Sequence, residues 1–382
     1  MRSIEILDRL IAFPTVSSDP NIELIRYARD LLAAAGIESE IIPDAEGRKA
    51  NLHAMIGPRD RPGVMLSGHT DVVPVEGQAW TSDPFRLTER DGRLLGRGTA
   101  DMKGFVASAL AAAEIAAGRD LKTPLHLALS YDEEVGCLGV RSLIDMLERA
   151  PIRPAFVIVG EPTAMAVATG HKGKRGLRAT CVGREGHSAL APLALNALHL
   201  AADFTAAIRA AQARIEAEGK RDGDYDVPYT TLHVGRISGG VALNIVPNRA
   251  EVDFEIRNLA TDDADAILAG LAAEAEAIVR AAGEPEAAIG VETFMRYPGL
   301  DTPPDAAIVG FVKSLTGANG TIKVAFGTEG GLFAERLGAQ AVVCGPGSMA
   351  QGHKPDEFVT REQMAKCDAM LAALLDRLQA GL

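Results

Sequence analysis

The order of secondary-structure signals along the chain predicts an α/β fold, in which a larger domain with a mainly parallel sheet flanked by helices is interrupted by a smaller α+β domain. Three observations predict it. From about residue 37 to 167, continuous apolar runs alternate with helical patterns, as strands buried on both faces require. From 176 to 294 the order becomes βαββαβ, the ferredoxin-like arrangement of two helices on a four-stranded antiparallel sheet. At 382 residues the chain is also long for one domain. The expected boundaries are 1–174 and 290–382 for the discontinuous larger domain, and 175–289 for the insertion.

Ile4, Leu7, Leu10 and Ile11 recur at helical spacing, so the N-terminus reads as an amphipathic helix. Glu5 and Asp8 fall among them, unlike the uncharged core of a secretory signal. Strands follow at 50–56, 63–67, 125–130 and 155–159, with helices at 104–117 and 140–150 between them. In the insertion, a short strand at 176–182 precedes a long alanine-rich helix from about 194 to 218. Alternation at 229–237 and 245–256 predicts an antiparallel pair, followed by a helix at 263–282 and a strand at 287–294. Pro298-Gly299 and Pro303-Pro304 punctuate a return to α/β texture, with strands at 326–328 and 341–344 and a last helix at 361–378.

Composition narrows the function classes. The chain is 47% hydrophobic and 24% charged, an ordinary globular balance. No apolar run approaches the roughly 18 residues that a membrane span needs. A net charge of −12 with no offsetting basic cluster argues against nucleic-acid and anionic-membrane partners. Cys137, Cys181, Cys344 and Cys367 lie far apart with no CxxC pair, which suits reduced thiols in a cytoplasm. Cys181 and Cys344 fall in strand-like runs and read as small core residues.

The chemistry is carried by acids and histidines placed where strands should end. His69, Glu133, Glu134 and Glu161 each fall within a few residues after an apolar run, and binding sites in parallel sheets form beyond those ends. Residues i and i+2 of a strand end share a side, so the Asp71 carboxylate is expected to accept a hydrogen bond from His69 and fix its tautomer. Asp101 follows the turn Gly96-Arg97-Gly98 and precedes a helix start, where it can cap, ligate or do both. An aspartate at the third glycine of a near-match to the dinucleotide fingerprint would repel a pyrophosphate, which removes that reading. Glu133 and Glu134 are adjacent and point different ways, so one can ligate while the other serves as general base. Pro162 biases Glu161 towards extended backbone, and His353 sits in a glycine-rich loop after the strand at 341–344.

Taken in order, Gly68-His69-Thr70-Asp71, Asp101, Glu133-Glu134, Glu161 and His353-Lys354-Pro355-Asp356-Glu357 resemble the M20 family of dinuclear zinc hydrolases over nearly the whole chain. The resemblance implies that His69 and Glu161 hold one metal, Glu134 and His353 the other, and Asp101 bridges them. It makes Glu133 the general base and Asp71 the orienter of His69. It also implies two divalent metal ions, zinc first and cobalt as the alternative, and a homodimer formed through the insertion. Within the family, Gly170-His171-Lys172-Gly173, Glu255-Ile256-Arg257-Asn258-Leu259, Gly327-Thr328-Glu329 and Gly345-Pro346-Gly347-Ser348 are most similar to the acetylornithine deacetylases. Gly330-Gly331 and Gly352 depart from that branch.

The substrate implied is a small N-acyl amino acid, N2-acetylornithine above all, with a desuccinylase, general aminoacylase or dipeptidase specificity as the alternative. A metal-dependent binding protein on the same fold is the non-enzymatic reading. By the resemblance, Arg257 clamps the substrate carboxylate through its planar fork, with Lys172 a weaker candidate and Thr328 nearby in the motif. His187 is the implied oxyanion donor, supplied across the dimer, and Asn244 a second cross-subunit candidate.

Overall fold

The computed structural model describes residues 1–17 and 19–382. The chain divides into two compact units: Met1–Gly170, Leu300–Lys323 and Thr328–Leu382 form the first, His171–Gly299 and Val324–Gly327 the second. Both boundaries of the insertion lie outside the expected 175 and 289, because its first strand starts at Gly173 and its last, Ala288–Tyr297, runs on past 290.

The first unit is built on a nine-stranded sheet. Four neighbouring strands at its centre run parallel, in the order Leu125–Ser130, Val64–His69, Phe156–Pro162 and Gln340–Gly345. Every residue of the first two is buried, as expected for strands covered on both faces. The flanks are antiparallel, so the sheet is mixed rather than mainly parallel. A short turn, closed by Asp44 N donating to Lys49 O at 2.8 Å, joins Ser39–Pro43 to Ala50–Ile56. So short a link leaves no length for a crossover and forces the pair antiparallel.

Helices cover the sheet for sequence reasons that are easily traced. Arg2–Ile11 buries Ile6, Leu7, Leu10 and Ile11. Lys103–Ala117 is rich in alanine and is buried along nearly its whole length, the small side chains letting neighbouring elements approach closely. Lys103 itself is fully buried, and its ammonium donates to Leu10 O at 3.2 Å and Phe13 O at 2.8 Å, satisfying carbonyls at the end of the first helix. Arg361–Ala380 closes the same core with Met364, Leu371, Leu374 and Leu378. Two glycines permit the tightest approach beneath the site. A Cβ on Gly160 would lie 1.9 Å from the Phe105 ring, and one on Gly345 would lie 1.9 Å from Gly160 O.

Two differences from the sequence reading concern the return segment. Residues 326–328 form no strand; the strand lies earlier, at Ile322–Val324. Thr328 instead turns the chain into the helix Gly330–Leu337, which opens on two glycines, the residue least suited to helix interiors after proline. A separate three-stranded sheet pairs Thr88–Arg90, Arg93–Leu95 and Phe358–Thr360. It brings the loop that carries Asp101 beside the loop that carries His353.

The second unit is a four-stranded antiparallel sheet in the order Thr231–Gly239, Arg249–Asn258, Gly173–Val182, Ala288–Tyr297, with the helices Ala197–Glu218 and Ala264–Ala282. Chain order βαββαβ with the first and third strands central is the ferredoxin-like topology. Leu177, Ala179, Cys181, Phe204, Phe254 and Ile256 lie in its core. The expected strand at 245–256 is two elements. Ile245–Val246 pairs with Gly186–His187 instead, and the long strand resumes at Arg249 after Pro247 breaks the ladder.

Candidate metal centre

Each of the four parallel strands delivers one candidate ligand at its carboxyl end. His69 closes Val64–His69, Glu134 follows Leu125–Ser130, Glu161 lies near the end of Phe156–Pro162, and His353 lies in the loop after Gln340–Gly345. Asp101 enters from the 96–101 loop. It does not cap the next helix, whose N-cap is Met102, and its peptide bond to Met102 is cis.

The two Asp101 oxygens face different histidines. Oδ1 lies 3.1 Å from His69 Nε2, and Oδ2 lies 3.2 Å from His353 Nε2. Beyond them, Glu161 Oε1 is 3.5 Å from His69 Nε2, and Glu134 Oε2 is 3.1 Å from His353 Nε2. One carboxylate thus stands between two imidazole–carboxylate pairs. Donor atoms of His69, Glu133 and Glu161 lie within 4.8 Å of one another, as do those of His69, Asp101 and Glu134. Glu133 is therefore close enough to touch whatever His69 and Glu161 hold, while Asp101 stands within 3.2 Å of both histidines.

Asp71 orients more than His69. The Asp71 backbone carbonyl is the nearer acceptor for His69 Nδ1, at 2.9 Å, whereas its carboxylate oxygen stands at 3.4 Å. A main-chain carbonyl thus stands nearer than the expected carboxylate, which is also engaged elsewhere. The carboxylate accepts from Ser17 Oγ at 2.7 Å and from the Glu133 and Glu134 N–H groups at 3.1 and 3.3 Å. Asp71 therefore ties the strand end bearing His69 to the loop bearing Glu133. That loop is held further by Lys49, which donates to Asp132 Oδ1 at 2.6 Å.

The charges suit cations. Burial pushes the Glu133 and Glu161 carboxyls well above their ordinary range, and neighbouring acids push them further. Glu134 rises to about 7 through burial and the charge of Asp101. Burial would lower His69, but Glu161, Asp101 and Asp71 outweigh it and hold it well above 6.5. Hydrogen bonds to Asp101 and Glu134 raise His353 to about 10. In protein alone, the cluster balances its charge by keeping protons on ligands. Two divalent cations would displace those protons, and imidazole nitrogens with carboxylate oxygens are donors that zinc or cobalt accept. The residues fit the group.

Some site residues carried no role in the sequence reading. Glu357 is fully buried and accepts from Arg97 Nη1 at 2.6 Å, Ala100 N at 2.9 Å and Asp101 N at 3.0 Å. It pins the Asp101 loop to the segment that bears His353. Its position four residues after His353 was a usable signal, since an acid so close to a loop ligand has a role to fill. Cys137 is also buried, with its thiol 3.3 Å from Glu133 Oε1.

Most of the remaining candidates belong to the second unit. Arg257 donates to Glu255 Oε1 and to Tyr297 Oη, both at 3.1 Å, and stays partly exposed. The Lys172 ammonium donates to Val227 O at 2.8 Å and Tyr229 O at 2.6 Å, and burial and then the nearby Arg257 charge lower its pKa. His187 is exposed; its Nδ1 accepts from Ala189 N at 3.1 Å. Asn244 is exposed beside it, its carbonyl accepting from Ser188 N at 3.0 Å. Thr328, in the first unit, is fully buried and its hydroxyl accepts from Gly330 N at 3.0 Å.

A curated acetylornithine deacetylase from Myxococcus xanthus is 38% identical over 371 residues, covering 96% of this chain and 94% of its own. One from Pasteurella multocida (strain Pm70) is 34% identical over 395 residues, covering 99% and 98%. Among solved structures, an M20 family metallo-carboxypeptidase from Sulfolobus solfataricus superposes with a TM-score of 0.79 at 19% identity, covering 100% of both chains. A dinuclear metal-binding peptidase of the M20 family from Bacillus subtilis gives 0.70 at 16% identity, covering 98% of this chain and 96% of its own. The family model for peptidase family M20/M25/M40 matches residues 65–377, and this chain belongs to that family.

Proposed function

We propose that the protein is a metal-dependent amidohydrolase that removes the acyl group from an N-acyl amino acid, N2-acetylornithine first, giving ornithine and acetate. The observation that carries the reading is Asp101, whose two oxygens each face one histidine–carboxylate pair, with a further acid, Glu133, beside them. The full-length identity to curated acetylornithine deacetylases supports the substrate.

His69, Glu161, Glu134 and His353 would hold two divalent ions, zinc or cobalt, with Asp101 between them. When bound, the ions supply Lewis acidity towards the acyl carbonyl and lower the pKa of water. Glu133 takes a proton from the attacking water as its oxygen adds to the acyl carbon, then delivers that proton to the nitrogen as the C–N bond breaks. Asp71 holds the Glu133 and Glu134 main chain in place through their N–H groups. Arg257 clamps the substrate carboxylate, with Lys172 the weaker candidate for the same task.

The working form is a cytoplasmic homodimer assembled through the second unit. Leu190, Leu193, Val241 and Leu243 are 57, 72, 87 and 100% exposed on the segments around His187 and Asn244. So many bare apolar side chains flanking a polar pair favour a second copy as cover. In that assembly His187 donates to the tetrahedral oxyanion of the partner's reaction.

The test is acetate or succinate release from N-acetylornithine, N-succinyl-diaminopimelate and N-acetylmethionine, with and without chelator. Fastest chelator-sensitive turnover of N-acetylornithine is expected. Faster turnover of another substrate would move the specificity within the family, and no metal-dependent release from any would overturn the enzyme reading.

A further inference from the structure

Glu329 has no part in the chemistry above, yet few carboxylates in the first unit are more deliberately held. Its side chain is 1% exposed. Oε2 accepts from Ser67 Oγ at 3.0 Å and Oε1 accepts from Ser130 Oγ at 2.5 Å, and both serines are buried. Those serines sit on the two central strands just before the chemistry begins. Ser67 precedes His69 by two residues, so their side chains share one face of the strand. Ser130 is the register partner of His69 and stands three residues before Glu133. Glu329 itself starts the helix Gly330–Leu337, whose first turn is fixed by Thr328. One carboxylate thus joins three elements on the face that carries His69. A carboxylate is a costly group to bury where packing alone is wanted, because an apolar side chain fills the same space without desolvating a charge.

We propose that Glu329 is a positioning residue for the hydrolytic reaction: by bracketing Ser67 and Ser130 it fixes the His69 imidazole and the start of the Glu133 loop relative to each other. This rests on the amidohydrolase reading for its kinetic consequence, though not for its structural one. The carboxylate acts through the two hydroxyls that it holds. Small misplacements of a base and a ligand pair are expensive in turnover, while substrate binding through the second unit is left alone.

Three variants test it: Glu329→Ala, Glu329→Gln and the pair Ser67→Ala/Ser130→Ala. Each is measured for kcat and KM on N-acetylornithine, for metal content, and for the visible absorption of the cobalt-loaded protein. Glu329→Ala should lower kcat at least about tenfold with KM within about twofold, keep its metal, and shift the cobalt bands. In Glu329→Gln the amide can accept from one serine and donate to the other, so kcat should recover to within about threefold of the parent and the bands should return. The serine pair should match Glu329→Ala, and adding Glu329→Ala to it should change nothing further, since residues acting as one unit are non-additive.

Unchanged kcat and unchanged bands in Glu329→Ala would overturn the proposal, as would a glutamine variant as impaired as the alanine one. If Glu329→Ala does not fold, the serine pair carries the same comparison. If the parent protein hydrolyses no N-acyl substrate, the functional reading fails, and the cobalt spectra alone decide the positioning claim.

Discussion

Glu133 and Glu134 are neighbours in the chain with opposite proposed tasks, and the geometry gives them different surroundings. Glu134 pairs with His353 at 3.1 Å, whereas the nearest side-chain donor to Glu133 is a thiol, itself a weak one. A base must stay free of strong partners to take a proton, so Glu133 is the acid suited to that work. Glu133→Gln should keep both metals by elemental analysis and lose at least about a hundredfold in kcat, the lower end of what general acid–base catalysis contributes. Loss of a metal in that variant would reassign Glu133 as a ligand. The position of the candidate ligands was legible from sequence, because strand ends are marked by apolar runs and the acids follow them. Asp71 was legible only in part. Its partnership with His69 follows from the two-residue period of a strand, but its commitment to Ser17 and the Glu133 loop depends on contacts across 54 and 62 residues, which no local pattern encodes.

Elements were read best where burial was continuous, as in Val64–His69 and Leu125–Ser130, and worst where a short polar or glycine-rich segment took its form from its surroundings. The helix at Gly330–Leu337 and the pairing of Ile245–Val246 with His187 are of the second sort. One element-level contact makes a pH prediction. His53 and His126 lie on adjacent antiparallel strands with Nε2 and Nδ1 3.1 Å apart, sharing a single proton. Burial lowers them to about 4 and about 3, with Arg59 adding to the first and His53 to the second. Both folded pKa values lie below the unfolded value near 6.5, so between them the unfolded chain binds more protons. The pair's contribution to stability therefore falls as pH drops below 6.5, by roughly 2 kcal/mol per ring at pH 5. The raised carboxyls and histidines of the candidate metal cluster push stability the other way, so the pair is isolated by difference: in urea unfolding of the metal-free protein at pH 7.5 and pH 5, the parent should lose about 2 kcal/mol more than His53→Gln between the two. A variant with the undiminished slope would place the acid sensitivity elsewhere.

On the scale of the whole molecule, the candidate ligands divide around the insertion: His69, Asp101, Glu134 and Glu161 precede it, and His353 follows. The first unit therefore completes its candidate metal centre only after the chain has made the second unit and come back. Glu357 is the device that secures the return, since it lies beyond the insertion and grips the Asp101 loop ahead of it. Glu357→Ala would strand a buried Arg97 guanidinium and leave the Ala100 and Asp101 N–H groups unpaired, a loss of about 3–5 kcal/mol readable in urea. The second unit contributes differently. Its His187 lies on an exposed apolar edge rather than in a core, which is where a residue meant for a second copy would be kept. A two-fold dimer makes that division of labour testable, because each site would draw Glu133 from one chain and His187 from the other. Glu133→Gln and His187→Ala proteins, each inactive alone, are mixed in equal amounts and allowed to exchange. Each mixed dimer then holds one site with both residues intact and one with neither. Half of the dimers are mixed after random exchange, so about a quarter of wild-type activity should appear. If exchange is demonstrated by mass or fluorescence and activity stays at the level of the separate variants, His187 works within its own chain or not at all.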